Sequence, residues 1–235
     1  MTYCENDTES ILLTGIHPVP SSTLMGKKLL FLGSSVTYGC EPEGISFVEF
    51  LCRHSGCIGV KAAVSGTTLA DISDQSYVSR LKKVDRQVRP DAIIVQLSTN
   101  DAGLNHRFGV IAGRRDLGDY DVMTIAGAIE YIIAYARQTW RCPVLFYTGT
   151  RYDNETYGRM VTLLLAVQKA WGIGVIDLWH DPLMNQVAAA DYARFMADGV
   201  HPTIAGYFQW WGPRLETLLG EFFEKKEQDP LMDSL

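Results

Sequence analysis

The sequence has no long apolar run and no excess of basic residues. None of its apolar segments approaches the roughly 20 residues that a membrane-spanning helix needs, and the polar start lacks the basic and apolar regions of a signal peptide. The 27 Asp and Glu side chains outnumber the 21 Lys and Arg side chains, for a formal net charge of −6. Because nucleic acids are bound by clustered basic side chains, we expect a cytoplasmic protein with neither a membrane nor a nucleic acid as partner.

Cysteine is also scarce, and the histidines are scattered. The five cysteines are an odd number without a C-x-x-C pair, which favours reduced thiols over a disulfide framework: Cys4, Cys40, Cys52, Cys57 and Cys142. The five histidines form no H-x-H or H-E-x-x-H pair. We therefore expect no metal site and no cofactor.

Five short apolar segments alternate with stretches of helical spacing. Their near-continuous hydrophobicity is typical of strands buried on both faces of a parallel sheet, and they cover residues 28–33, 57–63, 92–98, 144–148 and 174–178. The spacing of apolar residues predicts helices at about 44–54, 77–88, 123–140, 157–171 and 203–223. Because right-handed crossovers place helices on both faces of such a sheet, this order predicts the α/β class and a three-layer α/β/α sandwich with a five-stranded parallel sheet.

The chain is long enough for one compact domain with flanking segments. We expect an N-terminal arm at residues 1–26, the domain itself at 27–223 and a polar C-terminal tail at 224–235. The arm contains prolines and serines, and it favours self-association into a homo-oligomer. Residues 101–120 are the longest stretch without a clear element, which is typical of a functional loop.

Polar clusters follow several of the predicted strands. Ligands of open parallel sheets bind outside the carboxyl ends of the strands. Four clusters are placed there or just before the last helix: Gly33-Ser34-Ser35, Ser65-Gly66-Thr67-Thr68, Ser98-Thr99-Asn100-Asp101 and Asp198-Gly199-Val200-His201.

These clusters contain the groups of a nucleophilic site. A serine at a strand-to-helix turn becomes a nucleophile when a base takes its proton, and His201 can be that base. Asp198, three residues earlier, can orient the imidazole and stabilise its charged form. The backbone N–H groups of Ser35 and Gly66 and the side-chain amide of Asn100 can serve as donors to a developing oxyanion.

In these four blocks the sequence resembles the SGNH hydrolases, or GDSL-type esterases, over about residues 27–223. The resemblance implies a flavodoxin-like sheet, with Ser35 as nucleophile, His201 as base and Asp198 as its partner. It also implies an oxyanion hole formed by Ser35, Gly66 and Asn100.

Two residues depart from the family pattern. Ser34 replaces the aspartate of the first block, although a serine hydroxyl can still accept a backbone donor there. Ser98 replaces the first glycine of the third block, so the backbone is expected to follow a slightly different path. Asp101 is interpreted as a structural residue beside Asn100. Asp177, which follows the fifth strand, is an alternative partner for His201.

The sequence therefore predicts a serine esterase that hydrolyses a small carboxylic ester, with an acyl or acetyl group, through an acyl-enzyme intermediate. Three arginines of the long loop are candidates for binding an anionic substrate: Arg107, Arg114 and Arg115. The alternative hypothesis is a non-catalytic module on the same fold that binds a carbohydrate or an anion. It predicts that His201 lies beyond the reach of Ser35.

Overall fold

The strands form a single sheet in the computed structural model, which describes residues 2–4, 15–39 and 44–228. The strands are β1 Thr2–Cys4, β2 Lys28–Gly33, β3 Ile58–Ala63, β4 Ala92–Gln96, β5 Val144–Tyr147 and β6 Gly174–Ile176. Their order is β1-β3-β2-β4-β5-β6. Strands β2 to β6 pair in parallel, which confirms the predicted five-stranded parallel sheet, and β1 adds an antiparallel strand that was not predicted.

Helices cover both faces of the sheet. They are α1 Ser35–Tyr38, α2 Phe47–Ser55, α3 Tyr77–Lys82, α4 Thr99–Gly103, α5 Ile125–Thr139, α6 Glu155–Trp171, α7 Pro182–Asn185, α8 Ala189–Phe195, α9 Ile204–Gly206 and α10 Gly212–Gln228. Arg86–Val88 and Leu117–Asp119 are 3₁₀ turns, and Tyr207–Trp211 is a π-helical segment.

Alternate residues of β2 point into two separate cores, as expected for a central strand. Leu30 and Leu32 pack in one core with α3, α5 and α6. Leu29 and Phe31 pack in the other with α2 and α10. This arrangement confirms the three-layer α/β/α sandwich.

Two predicted helices differ in detail from the observed ones. The predicted 77–88 helix ends at Lys82, and Asp85 then caps a separate 3₁₀ turn by accepting the Gln87 N–H. The predicted 203–223 helix is divided by the π-helical segment, and α10 continues to Gln228. Five residues of the predicted C-terminal tail are therefore helical, while residues 229–235 lie outside the described part of the chain.

The described parts of the N-terminal arm pack against the domain. Thr2–Cys4 pairs with β3, and the Val19 N–H donates to the His54 carbonyl at 2.7 Å. Ile16 and Leu24 are buried in the second core. No helix within the described ranges is long and apolar enough to span a bilayer.

Three of the cysteines are buried and belong to no disulfide within the described ranges: Cys52, Cys57 and Cys142. Cys40 and the side chain of Cys4 lie outside what the structure describes.

Candidate active site

The turn between β2 and α1 presents Ser35 as the first residue of a short helix. Ser34 is its N-cap. The Gln96 side-chain oxygen accepts the Ser34 N–H at 2.9 Å, the Thr37 N–H at 3.3 Å and the Thr37 hydroxyl at 2.8 Å. Gly33 leaves room for these bonds, because a Cβ there would overlap the Thr37 side chain and lie 2.8 Å from the Gln96 oxygen. The amide of Gln96 therefore holds the serine turn in place.

The structure corrects our expectation for Ser34. Its hydroxyl accepts no backbone donor and is buried without a well-formed hydrogen bond to any described residue. Gln96 braces the turn instead, and our sequence analysis did not single it out. Gln96 is the one polar side chain of the buried strand β4. Because buried polar groups are nearly always hydrogen-bonded, that amide could have indicated a bracing role.

The loop between α8 and α9 is closed upon itself and carries Asp198 and His201. Met196 and Pro202 form an isolated antiparallel bridge across its base. The Ala197 N–H donates to the His201 carbonyl at 2.9 Å. One Asp198 oxygen, Oδ1, accepts the N–H groups of Val200 at 2.6 Å and His201 at 2.7 Å. These local bonds fix the two side chains relative to each other.

A contact from the π-helical segment joins the last helical region to the serine turn. The Tyr207 hydroxyl donates to the Val36 carbonyl at 2.8 Å, and both atoms are buried. Pi-helical turns occur often at functional sites. Here the contact links the chain that follows His201 to helix α1.

The structure brings Ser35, His201 and Asp198 together in one hydrogen-bonded chain. Ser35 Oγ lies 2.8 Å from His201 Nε2, and His201 Nδ1 lies 2.7 Å from Asp198 Oδ2. Because an ionised carboxylate can only accept, the imidazole hydrogen belongs on Nδ1. That tautomer leaves Nε2 free to accept the serine proton.

Asp198 is held in its ionised form. Partial burial raises the pKa of its carboxyl. Hydrogen bonds from the His201 ring, the His201 N–H and the Val200 N–H, together with the electrostatic interaction with His201, lower the pKa by more than burial raises it. The net pKa lies below the ordinary value of 3.8. The carboxylate is therefore charged at neutral pH and can stabilise an imidazolium.

The three candidate oxyanion donors belong to segments that are bonded to one another, since the Val64 N–H donates to the Gly33 carbonyl at 3.3 Å. No described residue accepts the N–H of Ser35 or that of Gly66. Gly66 has a φ of +76°, a conformation that favours glycine. The Asn100 side-chain nitrogen donates one hydrogen to the Thr67 carbonyl at 2.9 Å, which orients the amide and leaves its second hydrogen available.

Ser98 fits its position without the conformational freedom of glycine. Its φ is −70°, and its hydroxyl caps α4 by accepting the Asp101 N–H at 3.3 Å. The same hydroxyl donates to the Thr67 carbonyl at 3.4 Å. The serine thus begins the helix that carries Asn100.

Two other acids bond to histidines of their own. Asp101 accepts the Leu69 N–H at 2.7 Å and the Ala70 N–H at 3.1 Å, and it lies 3.0 Å from His106 Nδ1. Asp177 lies 2.7 Å from His180 Nδ1. Asp177 is therefore committed to another histidine, and Asp198 is the residue that contacts His201.

The three candidate arginines of the long loop are not joined to these groups. Arg107 lies 3.5 Å from Asp121 and is mostly exposed. The backbone N–H groups of Ala112 and Gly113, just before Arg114 and Arg115, bond to Glu130, which also accepts the indole N–H of Trp171. Trp171 ends α6 near the start of β6, so this part of the loop lies towards the opposite end of the sheet from Ser35. Substrate binding by these arginines stays a prediction.

Metal ligands do not cluster in the described part of the chain. No three His, Cys, Asp or Glu side chains of those residues lie close enough together to hold a metal ion.

The family comparison agrees with this geometry. The model of the GDSL-like lipase/acylhydrolase family matches residues 31–208, which is most of the chain. This confirms the resemblance inferred from the four sequence blocks. No curated protein matches the sequence.

Solved structures share the fold at low sequence identity. A protein from Lactobacillus plantarum has a TM-score of 0.68 and 19% identity, over 86% of this chain and 98% of its own. A variant of an acetyl-xylooligosaccharide esterase from Geobacillus stearmophilus has a TM-score of 0.59 and 15% identity, over 85% and 96%. A family two carbohydrate esterase from Clostridium thermocellum, in complex with cellohexaose, has a TM-score of 0.61 and 15% identity, over 85% and 65%.

The family match over most of the chain establishes that the chain belongs to the GDSL-like lipase/acylhydrolase family and is a hydrolase of ester bonds.

Proposed function

We propose that the protein is a serine esterase that hydrolyses small carboxylic esters with short acyl groups. Ser35 is the nucleophile, His201 the general base and acid, and Asp198 the residue that orients His201. The observation that carries the proposal is the 2.8 Å contact between Ser35 Oγ and His201 Nε2, with Asp198 on the other ring nitrogen.

In the first half-reaction, His201 Nε2 takes the hydroxyl proton as Ser35 Oγ forms a bond to the ester carbonyl carbon. The carbonyl oxygen becomes an oxyanion that accepts hydrogen bonds from Ser35 N–H, Gly66 N–H and Asn100. The bond to the alcohol oxygen then breaks, and His201 gives its proton to the departing alcohol. Ser35 is left acylated.

In the second half-reaction, a water molecule loses a proton to His201 and attacks the acyl carbon. The same donors stabilise the second oxyanion. When the bond to Ser35 Oγ breaks, His201 returns the proton to the serine, and the carboxylic acid leaves. Each half-reaction thus restores the neutral imidazole.

The proposed preference for a short acyl group draws on one structural relative, which is an acetyl-xylooligosaccharide esterase. A cavity of about 10 Å³ lies between residues adjacent to Ser35, Asn100 and His201, with Val36, Thr99, Tyr152, Gly199 and Val200 in its wall. The larger cavity of about 850 Å³ lies along β6 and includes no triad residue. The smaller cavity also has no triad residue in its wall and has room for about one water molecule, so it does not set the length of the acyl group.

The alternative of a non-catalytic binding module receives no support from the site. It predicts that His201 cannot reach Ser35, whereas their side chains lie 2.8 Å apart.

We expect activity on p-nitrophenyl esters to decrease with acyl length. Because a site for acetyl groups offers a longer chain no matching apolar surface, kcat/KM should fall more than about tenfold between the acetyl and octanoyl esters. Release of p-nitrophenol measures the series. An acetylated xylo-oligosaccharide should be included, since one structural relative is an acetyl-xylooligosaccharide esterase.

Covalent labelling provides the control for that series. A fluorophosphonate should modify Ser35, which peptide mass mapping detects. An unlabelled protein that hydrolyses none of these esters contradicts the proposed function, and a maximum at the palmitoyl ester contradicts the short acyl preference alone.

Replacement of Asn100 by Ala should lower kcat by about 10²–10³ with little change in KM. The reason is that the amide contributes one donor to an oxyanion that exists only along the reaction path. Steady-state kinetics on p-nitrophenyl acetate measure the effect. Asn105→Gly is the matched control, because Asn105 lies in the same segment with a φ of +51° that glycine adopts readily. Equal losses in the two variants contradict the role of Asn100.

A further inference from the structure

Arg80 is a buried cation that is hydrogen-bonded to segments of the candidate oxyanion hole. It lies on α3 and is 7% exposed. Its Nη1 donates to the Ala62 carbonyl at 2.9 Å, and its Nη2 donates to the Gly33 carbonyl at 2.8 Å and to the Thr67 hydroxyl at 3.1 Å. Its Nε makes a longer bond of 3.5 Å to the Ser76 carbonyl. The planar guanidinium thus ties the ends of β2 and β3 to the glycine loop.

Two acceptors of Arg80 belong to the chain segments that carry the oxyanion donors of Ser35 and Gly66. Gly33 comes two residues before Ser35, and Thr67 follows Gly66 directly. The Thr67 carbonyl in turn orients the Asn100 amide at 2.9 Å. One side chain therefore braces the segments of Ser35 and Gly66 directly, and that of Asn100 through a single residue.

The charge of Arg80 is not balanced by a carboxylate. In the described part of the chain it forms no ion pair. The buried Asp101 carboxylate accepts from Leu69, Ala70 and His106 instead. The guanidinium lies 5.1 Å from the ring centre of Tyr77, which is neutral because burial raises the pKa of its hydroxyl.

Burial also lowers the pKa of Arg80 to about 10, so that the side chain is charged at neutral pH. A buried charge is costly unless it is hydrogen-bonded, and here neutral oxygens supply the bonds. Because those oxygens do not cancel the charge as a carboxylate would, a positive potential remains at the site. Such a fixed potential stabilises negative charge that develops during a reaction.

We propose that Arg80 is a positioning residue that holds the oxyanion donors of Ser35, Gly66 and Asn100 in their mutual arrangement. It also adds an unbalanced positive charge to the segments that carry these donors. The inference rests on the proposed esterase function. It gives helix α3, which lies outside the four sequence blocks, a part in the chemistry.

The test compares Arg80→Met and Arg80→Lys with wild type, using the full chain and p-nitrophenyl acetate. We expect kcat to fall about 10–100-fold in Arg80→Met while KM changes less than about threefold, because the lost stabilisation applies to the oxyanion and not to the bound ester. Arg80→Lys keeps the charge but not the planar fork, and should recover part of kcat.

Affinity for phenylboronic acid is the second measurement. The boron forms a tetrahedral anion on a serine oxygen, so its inhibition constant should rise by the same factor as kcat/KM falls. A purely structural role for Arg80 does not predict this proportionality.

Arg137→Met is the matched control. Arg137 also donates to a backbone carbonyl, that of Trp171 at 2.7 Å, and lies 5.5 Å from the ring centre of Trp171. Its loss should lower the thermal midpoint and leave kcat within about twofold of wild type. If Arg80→Met does not fold, Thr67→Val removes one acceptor of Arg80 and should lower kcat and boronate affinity together.

The outcomes separate this inference from the proposed function. A wild-type protein without turnover or serine labelling contradicts the esterase function and this inference with it. If the wild type is active, the role of Arg80 alone is contradicted when both Arg80→Lys and Arg80→Met retain kcat and boronate affinity. If Arg80→Met does not fold, Thr67→Val takes its place in this comparison.

Discussion

A Ser35→Ala variant should hydrolyse p-nitrophenyl acetate about 10⁴–10⁶ times more slowly than wild type. Without Oγ no acyl-enzyme forms, and only the oxyanion donors remain to assist direct attack by water. The fold should persist, because Ser35 begins α1 through its backbone and its hydroxyl bonds only to His201 among the described residues. The measurement is kcat, with circular dichroism as a check of folding.

The neighbouring serine is the control for this variant. Ser34→Ala should retain turnover and fluorophosphonate labelling, because the Ser34 hydroxyl is buried without a well-formed hydrogen bond and only its N–H contacts Gln96. If Ser34→Ala abolishes labelling while Ser35→Ala keeps it, the nucleophile is Ser34.

A His201→Ala variant should lose about 10⁴–10⁶ in kcat as well. The imidazole takes the serine proton and delivers it to the alcohol, and no other described group contacts Ser35 Oγ. Losses at Ser35 and His201 should not add in a double variant, because the two groups act as one unit.

The chain contains a second histidine in nearly the same local setting. His180 follows Asp177 by three residues, its Nδ1 lies 2.7 Å from Asp177, and its N–H donates to that carboxylate at 3.2 Å. This second Asp-His pair follows β6 and borders the larger cavity, which has no triad residue in its wall. His180→Ala should therefore leave kcat within about twofold of wild type. A loss comparable to that of His201→Ala contradicts the assignment of the base.

The two histidines show how far sequence reasoning extends. Both have the Asp-x-x-His spacing, so spacing alone cannot separate them. The order of the four blocks favours His201, whose block stands just before the predicted last helix. Short, near-continuous apolar runs also predict the five parallel strands, because such runs report burial on both faces of a sheet.

The supporting residues of the site could not be predicted in the same way. Gln96 and Arg80 act through bonds to residues 62 and 47 positions away along the chain, at Ser34 and Gly33. A single polar side chain in an apolar stretch indicates a buried hydrogen bond, but it does not identify the residue at the other end. The break in the last helix is similar, since the bond from Tyr207 to Val36 spans 171 positions.

The antiparallel strand β1 has a consequence for how copies of the protein meet. By pairing Thr2 with Lys61 and Cys4 with Gly59, it covers the outer edge of β3. In the described sheet the outer edge of β1 and that of β6 remain without a neighbouring strand, and each of these strands is only three residues long. Charged side chains such as Arg141, Lys225 and Glu221 flank the β6 edge, and short, charged edges resist the strand addition that leads to fibres. Both open edges of the described sheet are thus short, and the charge beside β6 further opposes edge-to-edge aggregation.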